Sequence, residues 1–184
     1  MYFYADWPEI TTGEIAVIVS ISMFGAAIGA LVSGPLSDRY GRRPMILVAA
    51  FTYGLGAFII AVSQSVSVLI VGRFFIGLSL GALDLVIQLY LSEMAPVEIR
   101  GMLVAIFILV INISQFLATV IGLMLQPDWR WMYGWIVFLA AAYWVGIYFM
   151  PESPRWLGKV CRTEEMMAAM KQIYKPQYVD NAYL

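Results

Sequence analysis

Long apolar runs constrain this 184-residue chain more than any other feature. Stretches of about 18 or more mainly apolar residues recur along it, each long enough to cross a ~30 Å hydrocarbon core as a helix. A soluble domain of this size has no interior that could hide five of them. The composition agrees, since 62% hydrophobic against 12% charged lies far outside soluble averages. The runs predict five transmembrane helices at about 14–37, 44–62, 66–91, 101–125 and 132–150. Gly41 suits a helix stop and Pro44 a helix start, so they separate the first two spans. Ala95-Pro96, Gln126-Pro127 and Met150-Pro151 supply later breaks. The expected fold class is therefore an all-α membrane protein, with 1–13 as an extracellular segment, 14–150 as the bundle and 151–184 as a cytoplasmic tail.

The placement of Lys and Arg gives a direction. Nine of the 11 basic residues fall in 38–43, at Arg100 or beyond 154, the side taken as cytoplasmic. Arg130 lies opposite and Arg73 within a span, while the first fourteen residues carry only the acids Asp6, Glu9 and Glu14. The N-terminus is thus expected outside and the C-terminus in the cytoplasm of a multi-pass protein, the plasma membrane being the expected site. MYFYADWPE has no basic n-region followed by an apolar h-region, so it is no ordinary signal peptide. In the tail, Thr163 suits a helix cap, Glu164-Glu165 a first turn, and Met166, Met170, Ile173 and Tyr174 an apolar face. A solvated tail is the alternative.

Several function classes drop out. The balance of 11 basic and 12 acidic residues gives no reason to expect a nucleic-acid partner. The absence of His removes His-based catalysis and most zinc chemistry, and the single Cys161 forms no internal disulfide. With no nucleophile–base pair and no metal-ligand cluster in the sequence, neither an enzyme nor a cofactor is expected.

Three charged motifs share the cytoplasmic side: GPLSDRYGRRP (Gly34 to Pro44), YLSEMAPVEIRG (Tyr90 to Gly101) and PESPRWL (Pro151 to Leu157). One reading is topological, basic residues simply holding loops inside. Asp38 and the flanking glycines serve no purpose in that reading, because an acid weakens a retention signal. In this order and spacing, the motifs resemble the sugar porter family of the major facilitator superfamily, from about Ile15 to Tyr174. VGRFFIG (Val71 to Gly77) and WRWM (Trp129 to Met132) are similar to the family too.

The resemblance implies the second to sixth spans of an N-terminal six-helix half, without the first helix. The opposing C-terminal half would then be a missing partner. It also implies a cytoplasmic gate formed by Asp38, Arg39, Arg42, Arg43, Glu93, Arg100, Glu152 and Arg155. Each isolated surface pair is worth only about 0–1 kcal/mol, but a network that breaks and re-forms can bias a two-state equilibrium.

Polar groups inside the spans are few. Arg73 and Asp84, eleven residues apart, point the same way around a helix with an axial gap of about 16 Å, too far to pair. By resemblance Arg73 faces the central cavity and becomes a proton-coupling candidate; snorkelling is its alternative. Asp84 replaces a small residue usual in the family and is a second candidate. In ILVINISQFLATVIGL, Ile108, Asn112 and Gln115 share one face. The resemblance implies substrate hydrogen bonding by Gln115, with Asn112 one turn away standing in for an amide absent at Ile108. Bonding between neighbouring helices is the alternative. Gln88 stands where the family has proline, which should straighten the third span. Gly25/Gly29 and Gly77/Gly81 fit close helix packing. Ser114-Gln115-Phe116 inclines the resemblance towards myo-inositol-type members.

The expected function is that of a fragment of a hexose or myo-inositol transporter, facilitative or proton-coupled, working by alternating access. The alternative is a truncated non-transporting membrane protein, a degenerate gene product or a regulatory or assembly partner. The expected partners are a sugar or polyol and the lipid bilayer.

Overall fold

The computed structural model describes residues 11–96, 99–125 and 129–173, the side chains of Leu125, 129–131 and 172–173 excepted. Among them are seven helices: α1 (Thr12–Tyr40), α2 (Arg42–Ala61), α3 (Val66–Met94), α4 (Arg100–Leu125), α5 (Trp129–Tyr148), α6 (Pro154–Lys159) and α7 (Thr163–Ile173). Four of them, α1 to α4, are long and apolar enough to cross a membrane. The apolar stretch of α5, Met132–Tyr148, is shorter, and at about 26 Å it sits at the lower end of the spanning range. The described part is thus all-helical, as expected. Residues 1–10, the Gln126-Pro127 break, Tyr174 and the side chains of WRW in 129–131 lie outside what is described.

Local chemistry fixes the ends. Thr11 and Glu14 form a capping box: Thr11 Oγ1 accepts from Glu14 N at 3.3 Å, and the Glu14 carboxylate accepts from Thr11 N at 2.9 Å. At its other end α1 passes through Pro35 and runs to Tyr40, beyond the end near 37 expected from hydropathy. Asp38 and Arg39 therefore lie on the last turn of α1, and Arg42 and Arg43 on the first turn of α2. The turn between them is the single residue Gly41, at φ 106°. Hydropathy placed the boundary early because the charges of this motif are drawn into the helices by one another, as the site geometry shows.

Helix α3 is the centre of the bundle, packed against α1 and α2, while α5 packs on α2. Glycines bring α1 and α3 into backbone contact. A Cβ on Gly25 would stand 2.7 Å from the Phe74 carbonyl oxygen, and one on Gly29, Gly77 or Gly81 would overlap Leu78 O, Ser22 O or Ala26 O outright. The small-residue pairs read from the sequence are therefore packing surfaces. With Gln88 in its interior, α3 is unbroken over 29 residues. One apolar core joins Ile18, Ala57, Ile60, Leu69 and Ile76; a second, nearer the charged motifs, joins Met45, Ile46, Val86, Tyr90 and Ile147. Helix α4 differs from the rest: it leans on α3, and none of its membrane-length window is buried.

Candidate functional site

The three charged motifs meet at one end of the bundle, around Arg42. Its guanidinium is buried, 5% exposed, and is held from three sides. Nη1 donates to Ser37 O at 3.0 Å. Nη2 lies 2.8 Å from Glu93 Oε1 on α3 and 3.0 Å from Asp38 Oδ1, one turn back across Gly41. Arg42 thus ties the end of α1 to the end of α3 through its own place on α2. Glu93, 11% exposed, uses its other oxygen to accept from Ser153 Oγ at 2.5 Å.

Glu152 plays a different part from side-chain pairing. Gly41 heads α2 without a side chain to cap it, so the first amides of α2 need an acceptor from elsewhere. Glu152 Oε1 accepts from Arg42 N at 3.0 Å and from Arg43 N at 3.1 Å. A carboxylate here also meets the positive end of the helix dipole. A Cβ on residue 41 would lie 2.5 Å from Glu152 Oε2, so Gly41 is required both by its positive φ and by the incoming acid.

The PESPRWL segment then folds over the junction. Ser153 caps α6, accepting from Trp156 N at 3.3 Å. The Trp156 indole donates to Asp38 O at 2.9 Å, and Lys159 Nζ stands 3.7 Å from Asp38 Oδ1. Trp156 and Leu157 pack on Met166 and Ala169 of α7. On the other side, Tyr90 OH donates to Pro151 O at 2.7 Å from a ring that is almost fully buried. Tyr90→Phe leaves that carbonyl without its donor and should cost about 1–2 kcal/mol of stability, read as a lower unfolding temperature in detergent.

Of the eight residues named for the gate, the structure joins five: Asp38, Arg42, Arg43, Glu93 and Glu152. The Arg43 guanidinium donates to Tyr148 O and stacks over the Tyr148 ring, 5.4 Å from its centroid. Arg39 lies over Tyr40, and neither it nor Arg100 nor Arg155 pairs with a gate acid among the described residues. Sequence reasoning did not assign roles to Ser37, Tyr90, Ser153, Trp156 and Lys159. Ser153 and Trp156 lie inside the quoted PESPRWL, and their hydrogen-bonding side chains were the available signal.

The remaining candidates are spread out. The Arg73 guanidinium sits over the Tyr133 ring, 5.5 Å from its centroid, and its buried Nε has no hydrogen-bond partner among the described residues. Asp84 accepts from Gln88 Nε2 at 3.0 Å and is not paired with Arg73. Asn112 Nδ2 donates to Ile108 O of its own helix at 2.8 Å, and both Asn112 and Gln115 are exposed on α4. A trough of about 720 Å³ opens between α3, α4 and α5, with Ala26 of α1 and Ala50 and Tyr53 of α2 also lining it; Asp84 lines it, and Arg73, Asn112 and Gln115 do not. Among the described residues no group of three or more His, Cys, Asp or Glu could hold a metal ion.

A bundle of apolar helices with a charged junction at one end defines a multi-pass membrane protein. Its relatives give it a family. The family described as "Sugar (and other) transporter" matches residues 4–183. The glucose transporter GlcP of Staphylococcus epidermidis is 39% identical over 182 residues, covering 98% of this chain and 41% of that protein. The probable inositol transporter 2 of Arabidopsis thaliana is 40% identical over 167 residues, covering 89% of this chain and 29% of that protein. The partially occluded inward-open xylose transporter XylE from E. coli shares the fold, with a TM-score of 0.82 over 96% of this chain and 49% of that one at 22% identity. The chain belongs to the sugar (and other) transporter family and spans less than half the length of these relatives.

Proposed function

We propose that residues 11–173 form one jaw of a carrier that moves a sugar or polyol by alternating access. The observation that carries this is the Arg42 junction, where charges tie the ends of three long helices and the segment after the fifth into one unit. A stiff end suits a unit that rocks as one body against an opposing half, where a few kcal/mol sets the population of the two states. In this reading Asp38, Arg42, Arg43, Glu93 and Glu152 are the gate's fixed part. Arg39, Arg100 and Arg155, free of those acids, are the part that meets an opposing half. The exposed amide of Gln115, with the Oδ1 of Asn112, turns to substrate hydroxyls. Arg73 is the better placed of the proton-coupling candidates, its buried Nε lacking a described partner. The membrane site is the plasma membrane, with the Arg42 junction on the cytoplasmic side.

The test is a chimera. The matching stretch of the S. epidermidis glucose transporter is replaced by this chain and expressed in cells deficient in hexose uptake. Saturable glucose or inositol uptake is expected from the chimera, reduced by Glu152→Gln, and none from the 184 residues alone. A chimera that reaches the membrane and transports neither solute would favour the non-transporting reading. Saturable uptake by the chain alone, lost in Gln115→Ala, would show that no second half is needed.

A further inference from the structure

Arg73 enters the apolar part of α3 seven residues from its start at Val66, about 10 Å along the axis. An arginine there ordinarily snorkels, running its stem along apolar surface until the charge reaches water. Helical side chains point back to the N-terminus, so the near end of α3 is also the direction in which this one leans. Yet the guanidinium stands over the Tyr133 ring of α5, 5.5 Å from its centroid, within the range of about 6 Å at which such a contact attracts. Tyr133 packs on the first apolar core, and no described Asp or Glu forms an ion pair with Arg73.

Helices α3 and α5 each pack on α2, and the Arg73–Tyr133 contact ties them to each other. A ring face steadies the charge without accepting the conventional hydrogen bonds of the guanidinium, so its N–H donors remain to be met. Nε is such a donor: it is buried and has no partner among the described residues. The ring thus fixes where the charge sits and leaves the charge able to bind.

We propose that Tyr133 is a positioning residue for Arg73: its ring holds the guanidinium within the bundle, against the pull of the water surface, with N–H donors free for an oxygen acceptor on the transport path. The location of the guanidinium follows from the contact itself, whereas its effect on uptake rests on the carrier reading above. Tyr133 differs here from a residue that only fills space. The electron density of its ring face, and not its volume alone, sets the hold on Arg73.

The full chain in phosphatidylcholine vesicles is treated with water-soluble p-hydroxyphenylglyoxal, and adducts at Arg73 are read by peptide mass mapping against those at the exposed Arg155. Position 133 is varied as Tyr133→Leu, Tyr133→Phe, and Phe carrying increasing ring fluorination, which drains the ring face at nearly constant shape. Modification of Arg73 is expected to be slow in the unaltered chain and in Tyr133→Phe, about fivefold faster in Tyr133→Leu, and faster with each fluorine. The fluorinated rings probe the contact without the loss of volume that comes with Leu. In the chimera with the S. epidermidis glucose transporter, the uptake rate per surface copy should fall in the same fluorine order, a dependence that lost packing would not produce. Reactivity at Arg73 that ignores both Tyr133→Leu and the fluorine count would overturn the positioning. Uptake that ignores fluorination while the reactivity follows it would overturn its part in transport. A chimera without transport would count against the carrier reading alone, because the reactivity at Arg73 still decides the role of Tyr133.

Discussion

Arg42→Ala is expected to destabilise the bundle by about 3–5 kcal/mol, the loss typical of removing one partner from a buried ion pair. The reason is geometric. The guanidinium is 5% exposed, and its removal strands Oε1 of the Glu93 carboxylate, 11% exposed, while Ser37 O keeps only its bond from Gly41 N. Asp38 is 53% exposed, so its share of the pair is screened by water, and Asp38→Asn should cost only about 0–1 kcal/mol. Arg42→Lys keeps the charge but not the fork that reaches Ser37 O and Glu93 together, and should fall between the two. Tryptophan fluorescence during heating in detergent reads all three, and the order should be Arg42→Ala, then Arg42→Lys, then Asp38→Asn. Equal shifts for Arg42→Ala and Asp38→Asn would mean that Arg42 is solvated and that the junction does not hold the helices together.

Gly81→Ala is expected to be nearly as damaging, although it adds one methyl group. That methyl would fall on the carbonyl oxygen of Ala26, and the same holds for Gly77→Ala against Ser22 O. The obstruction is backbone on both sides, so no rotamer change relieves it and α1 must move away from α3. Overpacking of this kind costs about 1–3 kcal/mol and occasionally more. Gly146→Ala is the matched control: a Cβ there meets nothing within 4 Å, and alanine is the better helix former. A drop in unfolding temperature for Gly77→Ala and Gly81→Ala, with none for Gly146→Ala, is the expected pattern. A uniform response would contradict the close α1–α3 contact.

Much of this was legible in the residues. Apolar runs gave the helices, and Gly25/Gly29 with Gly77/Gly81 gave a packing surface without saying which helices meet there. The ladder of motifs gave the family. Hydropathy misplaced the end of α1, because Asp38 and Arg39 look like loop residues when counted singly. Asp38 pairs with Arg42 across the single residue Gly41, so the helix continues to Tyr40. Glu152 looked like one more acid for an arginine. Its role as the cap of α2 depends on a contact 110 residues distant in sequence, which no local pattern encodes.

The sequence by itself determined a membrane bundle of apolar helices, its family, and the gathering of charge at one side. The bundle and the charge follow from composition and spacing, which act within a few residues of chain, and the family from the resemblance of its motifs. The tertiary structure decided which charges are partners. It drew Asp38, Arg42, Glu93 and Glu152 together, left Arg39, Arg100 and Arg155 apart from those acids, and turned Asp84 into a trough. Pairing at about 3 Å is set by how whole helices cross, and α1 and α3 cross where glycines let their backbones touch.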